Sequence, residues 1–158
     1  MPLMSARVLL LGLVLGILLG IWTYVAFVHR FPIWQVLVAT ACFFASHRNL
    51  EGLWRTFLTA LSGIFWLFLT TRVLMSLGLG QYIFAVIVGV AVFILCAQAA
   101  LGLLSFIPGA LGGAAIYLGT ILFAQVPAPW WHTLLAVIVG PILGYVAELL
   151  SSGIAKAS

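Results

Sequence analysis

Charge is scarce in this chain. Of 158 residues only 5% are charged and 66% are hydrophobic, and the mean hydropathy is +1.35. A soluble domain carries roughly a quarter charged residues, so a water-facing globular fold is excluded. Acids are scarcer still: there are two, Glu51 and Glu148, beside three histidines, His29, His47 and His132. General acid–base catalysis and metal binding need convergent Asp, Glu, His or Cys, whereas these residues fall at the edges of apolar runs. The sequence has no HExxH pattern and no phosphate-binding glycine loop. It reads as a non-enzyme with no catalytic residue, metal or cofactor. Cys42 and Cys96 sit inside apolar stretches without zinc-ligand spacing and read as small buried hydrophobes.

What the chain has is long hydrophobic runs. About 20 apolar residues cross a bilayer as one helix, and the length accommodates about five or six such segments. The expected fold is all-α: a polytopic transmembrane helical bundle forming one integral membrane domain over residues 1–158. The expected segments are 7–28, 33–46, 54–77, 82–104, 108–123 and 133–150, with the second and fifth short. The second reads as a short span or a half-helix. The first run is too long for a signal-peptide core and lacks a small-x-small cleavage site, so it reads as a retained span. Polar turns separate the segments at 29–32, 46–53, 78–81 and 125–132. Six cations against two acids give a formal charge of +4. Scattered among turns, the cations read as a topology signal and an attraction to headgroups rather than a nucleic-acid footprint. With six spans, Arg7, Arg48, Arg55 and Lys156 share one side and Arg30 and Arg72 the other. That bias places both termini in the cytoplasm.

Within this layout a few residues stand out. Gly12, Gly16 and Gly20 recur every fourth position and form one helix face suited to close packing, which admits a homo-oligomer as partner. Glu51 and Arg55 have the spacing and order of a helical ion pair; they read as a surface pair or as a charged gate. Asn49 is placed to cap the helix that follows. Arg72 is expected to snorkel to the headgroups, His132 to be solvated and Glu148 to be interfacial. Gln98, an amide in an apolar span, should find an interhelical hydrogen bond.

The most unusual stretch is Leu103 to Gly113, where a helix breaker and clustered glycines interrupt an apolar run. Backbone groups freed there need partners that lipid does not offer. If Ser105 caps the fifth segment and Pro108 occupies its first turn, free N–H groups point out of the helix start toward an anion or carbonyl oxygen. Ser105, Phe106, Pro108, Gly109, Gly112, Gly113 and Gln98 are therefore the candidate pathway for a small solute. The alternative is a tight hairpin. The break has an echo near Ser46 to Gly52: Cys42, a polar break and Ser62-Gly63 are matched by Cys96, a second break and Gly112-Gly113, a weak internal repeat.

Four elements occur in order: LGILLGIW at 15–22, CFFA at 42–45, LSGIFW at 61–66 and LSFIPG at 104–109. Together they resemble the YcdZ-like bacterial inner-membrane proteins, a domain-of-unknown-function family, along nearly the whole chain. The chain departs from that pattern at Ser46 to Asn49. The resemblance implies a bacterial inner-membrane location and carries no activity or site residue. On the residues themselves, the leading expectation is a channel or facilitator for a small, weakly charged solute. The absence of intramembrane acids argues against an ion-coupled pump. The competing expectation is a structural or interaction subunit of a membrane complex.

Overall fold

Helices follow the apolar runs, and the last of them continues through Pro141. The structure, a computed structural model, describes residues 6–77, 81–123 and 129–157. Its α-helices are α1 (Ala6–His29), α2 (Ile33–Phe44), α3 (Leu50–Leu77), α4 (Gln81–Ala97), α5 (Ile107–Phe123) and α6 (Pro129–Ala157). Two 3-10 turns, Gln98–Ala100 and Gly102–Leu104, join α4 to α5. Four helical stretches are long and apolar enough to cross a membrane: Arg7–His29, Leu50–Ser76, Tyr82–Ala100 and Trp130–Ile154. The helices at Ile33–Phe44 and Ile107–Leu122 are shorter. The helical bundle with a short second and fifth segment is therefore the fold.

Several boundaries differ from expectation, each for a local reason. α3 begins at Leu50 rather than at Trp54, because Asn49 Oδ1 accepts the Gly52 N–H at 2.8 Å and caps the helix there. The fourth segment stops at Ala97 rather than at Leu104. Pro108 lies in the first turn of α5, where its missing N–H costs no helical bond. Leu101 is extended, with φ −84° and ψ 110°. α6 starts at Pro129, where proline suits a first helical turn. It takes in Trp130, Trp131 and His132 and continues past Leu150 to Ala157 rather than fraying. The expected turns at 78–80 and 125–128 lie outside the described residues.

The helices interlock as two halves of three. In each half the middle helix is short and packs against the third helix of the other half. α5 lies along α3: Gly109 meets Thr59, Gly113 meets Ala60, and Tyr117 packs with Leu67 and Phe68. Both residue numbers rise together, so the two helices run parallel. α2 lies along α6 in the same sense, with Gly140 against Val36, Ala39 and Thr40, and Gly144 against Phe43. α2 and α5 themselves meet head to tail. Gln35 at the start of α2 reaches Thr120 near the end of α5, and Cys42 near the end of α2 touches Pro108 at the start of α5. Exchanging α1–α3 with α4–α6 thus maps the packing onto itself with the direction reversed, an inverted repeat. The expected echo paired α2–α3 with α4–α5. The packing instead makes α2 the counterpart of α5, so the break before α5 corresponds to the α1–α2 turn at Pro32.

Glycine makes these crossings close. A β-carbon on Gly63 would collide with the Ala110 carbonyl, and one on Gly113 with the Ala60 carbonyl. Backbone cannot retreat as a flexible side chain can. Gly63→Val is expected to cost about 3 kcal/mol, the upper end of overpacking penalties. Gly89→Val, at a site with nothing within 4 Å, should leave stability nearly unchanged. Thermal unfolding of the detergent-solubilised variants checks the contrast.

Candidate functional site

The break before α5 is built differently from a capped, donor-rich helix start. The Ser105 hydroxyl donates backward to the Gly102 carbonyl at 2.9 Å, so it does not cap α5. The Ile107 N–H bonds the Ser105 carbonyl at 3.2 Å, and the Gly109 and Ala110 N–H groups share the Phe106 carbonyl at 3.2 and 3.3 Å. Pro108 has no N–H. The Ile107, Gly109 and Ala110 donors of this first turn are therefore engaged within the chain. Gly109 faces Thr59 and the Phe106 ring, Gly112 faces the Cys42 thiol and Gly113 faces Ala60. These glycines serve helix contact. Gln98, eight per cent exposed, has its Oε1 on the Ser62 hydroxyl at 2.5 Å, which ties the end of α4 to α3. Its Nε2 is buried without a partner.

A second polar locus lies where the two short helices meet. Gln35, one per cent exposed, donates from Nε2 to the Thr120 hydroxyl. The Thr133 hydroxyl lies 3.3 Å from the same oxygen, and Thr120 itself donates to the Ile116 carbonyl at 2.6 Å. Further along α2, Thr40 reaches the Gly140 carbonyl at 3.0 Å. Residues from α2, α5 and α6 thus form a buried seam of one amide and several hydroxyls. Sequence reasoning did not single out Gln35, Thr120 or Thr133. The available signal was a polar residue in each of the two short segments, since such side chains need partners inside a bilayer.

Arg7, Arg48 and Glu148 come together at one end of the bundle. Arg7 Nη2 bonds Glu148 Oε1 at 2.5 Å, linking the start of α1 to the end of α6. Glu148 is eight per cent exposed, and its Oε2 is buried without a partner. Arg7, Val8, Leu11, His47, Arg48 and Glu148 line a cleft of about 500 Å³. The expected topology already put Arg7 and Glu148 on the same side, which was the legible hint of this pair. Glu51 and Arg55 form an i,i+4 pair at 3.3 Å, with the Glu51 side chain largely exposed. Arg72 lies over the Phe68 ring at 5.2 Å from its centroid, and His132 packs edge-on against Phe31 at 4.8 Å. Gly12, Gly16 and Gly20 are exposed on α1 with nothing within 4 Å of a β-carbon.

Apolar helices of spanning length, with polar groups bonded internally and charge kept to the ends, define a polytopic α-helical integral membrane protein. The family described as "Protein of unknown function (DUF1097)" matches residues 12–152, and the chain belongs to it. It is similar to the Inner membrane protein YcdZ of Escherichia coli (strain K12), at 30% identity over 138 residues, covering 84% of this chain and 78% of that protein. No solved structure matches the chain.

The pair between α1 and α6 makes a testable energetic claim. Arg7→Gln removes the hydrogen bond to Glu148 Oε1 and should destabilise by on the order of 2 kcal/mol, the cost of leaving a buried charged group unsatisfied. Adding Glu148→Gln should restore most of that loss. A double-mutant cycle of unfolding in detergent measures the coupling.

Proposed function

We propose that the protein is a facilitator for a small, weakly charged polar solute in the bacterial inner membrane, acting at the seam between α2 and α5. The observation that carries this reading is the inverted pair of short helices meeting at Gln35 and Thr120. Short segments in corresponding positions of two inverted halves mark the substrate site in many transporters. In each half three crossing elements reverse the direction of the next half, so a solute meets similar surroundings from either face. The seam supplies amide and hydroxyl groups, able both to donate and to accept, and no formal charge. That chemistry suits a neutral hydrogen-bonding solute, and the lack of an acid at the seam favours passive movement over ion coupling. Positive charge at the Arg7, Arg48 and Arg55 end supports a cytoplasmic position for both termini. The helix-start residues Ser105 to Gly113 serve this reading by holding α5 against α3, with Gln98 fixing the end of α4.

A second reading, a structural or interaction subunit, rests on the exposed Gly12, Gly16 and Gly20 face of α1, a ready surface for a neighbouring helix. The two readings make separate predictions. Proteoliposomes containing the protein should take up at least one member of a panel of small amides, acids and alcohols faster than empty vesicles. Gln35→Leu should lower that flux roughly tenfold, the equivalent of one lost hydrogen bond, while the protein still folds. Flux equal to that of empty vesicles across the panel overturns the facilitator reading. For the subunit reading, Gly16→Ile should shift the detergent-solubilised protein to a smaller species in sedimentation, and an unchanged monomer before and after removes it.

A further inference from the structure

The scaffold builds one cavity twice and charges only one copy. The cleft lined by Arg7, Val8, Leu11, His47, Arg48 and Glu148 lies between the start of α1, the α2–α3 turn and the end of α6. Exchanging the halves carries it to the start of α4, the end of α5 and the end of α3. A cavity of about 340 Å³ lies there, lined by Thr71, Leu74, Phe84, Leu118 and neighbouring apolar residues. The packing therefore does not require the charged groups of the first cavity.

Their arrangement selects an anion. Arg7 and Arg48 supply two guanidinium groups and His47 a ring, against one carboxylate. Glu148 Oε1 is taken by Arg7 and Oε2 is buried, which leaves no carboxylate oxygen turned to the cleft to attract a cation. Arg48 uses Nε on the Phe44 carbonyl at 3.3 Å and lies over the Phe44 ring, 5.5 Å from its centroid. Its two terminal nitrogens make neither contact. Its backbone is left-handed, with φ 52°, a conformation that favours glycine and disfavours a long side chain. Such local strain at a charged residue points toward a binding role. Below the charged rim, Val8 and Leu11 present apolar surface on α1, where Leu9 and Leu13 are exposed as well.

We propose that this cleft binds the phosphate headgroup of an anionic membrane lipid. Arg48, His47 and Arg7 hold the phosphate, and the upper acyl carbons lie on Val8 and Leu11. Basic pockets between helices at a membrane face bind such headgroups, and a guanidinium matches phosphate geometry. A soluble phosphate would find the same donors but would gain nothing from the apolar wall, so the two sources are separable.

The test uses the full chain in detergent, with melting temperature and native mass spectrometry as readouts. Phosphatidylglycerol should raise the melting temperature and remain bound in the mass spectrum. Phosphatidylcholine and inorganic phosphate should do neither. Arg48→Gly relieves the left-handed backbone, so the lipid-free protein should melt at the same temperature or higher. Its affinity for phosphatidylglycerol should fall roughly fivefold or more. Arg30→Gly, at the other left-handed arginine (φ 56°) and at the opposite end of α1, should keep the full lipid response. If Arg48→Gly does not fold, Arg48→Gln with a count of bound lipid takes its place. Equal responses to the two lipids, a response to phosphate alone, or full binding retained without Arg48 each overturn the proposal.

Discussion

An apolar helix in a bilayer gains little by exchanging lipid tails for another apolar helix, so association depends on how closely two backbones approach. This fold meets that constraint at two crossings, α3 with α5 and α2 with α6, where Gly63, Gly113 and Gly140 admit carbonyl groups that a side chain would exclude. The rest of the architecture hangs on them. They hold the two short helices in place and fix where α5 begins along α3. α5 starts beside Thr59, nine residues into α3, or about 13 Å along it at 1.5 Å per residue.

The same constraint governs the polar groups. Thr40, Thr56, Thr70 and Thr120 each donate to the carbonyl four residues back, all within 2.6–2.8 Å. A threonine satisfied in this way adds no demand on its neighbours and can sit in an apolar interior. Gln35 and Gln98 have no comparable local partner, and both reach across to another helix, Gln35 to Thr120 and Gln98 to Ser62. Each amide ties a short or broken element to its neighbour, as Thr40 also does where it reaches the Gly140 carbonyl. Polar side chains here are satisfied locally, join helices or do both, and those that join helices mark places where the halves meet.

Inverted repetition also explains where charge sits. Two interlocked halves give each end of the bundle the same helix ends, so a difference between the ends must come from residues rather than from packing. Arg7, His47, Arg48 and Glu148 make that difference at one end. The Arg7–Glu148 bond joins the first helix to the last and closes the bundle at an end where Val8, Leu9 and Leu13 of α1 are exposed.

The amino-acid sequence alone determined the class of fold, the lengths of most segments and the shortness of the second and fifth, because apolar run length and helix-breaking residues act locally. It marked Asn49 as a cap and Glu51–Arg55 as a pair for the same reason. It also marked the Leu103 to Gly113 run as a break, since Pro108 suits a first helical turn. Only the tertiary structure decided what the break is for. The glycines after Pro108 meet Thr59, Cys42 and Ala60, residues 50 or more positions away, and no local rule contains those distances. The pairing of α2 with α5, the Gln35–Thr120 seam and the Arg7–Glu148 bond across 141 positions are likewise choices of packing. Periodicity states which residues must avoid water; which helices then approach closely enough to share a hydrogen bond depends on shape complementarity between backbones.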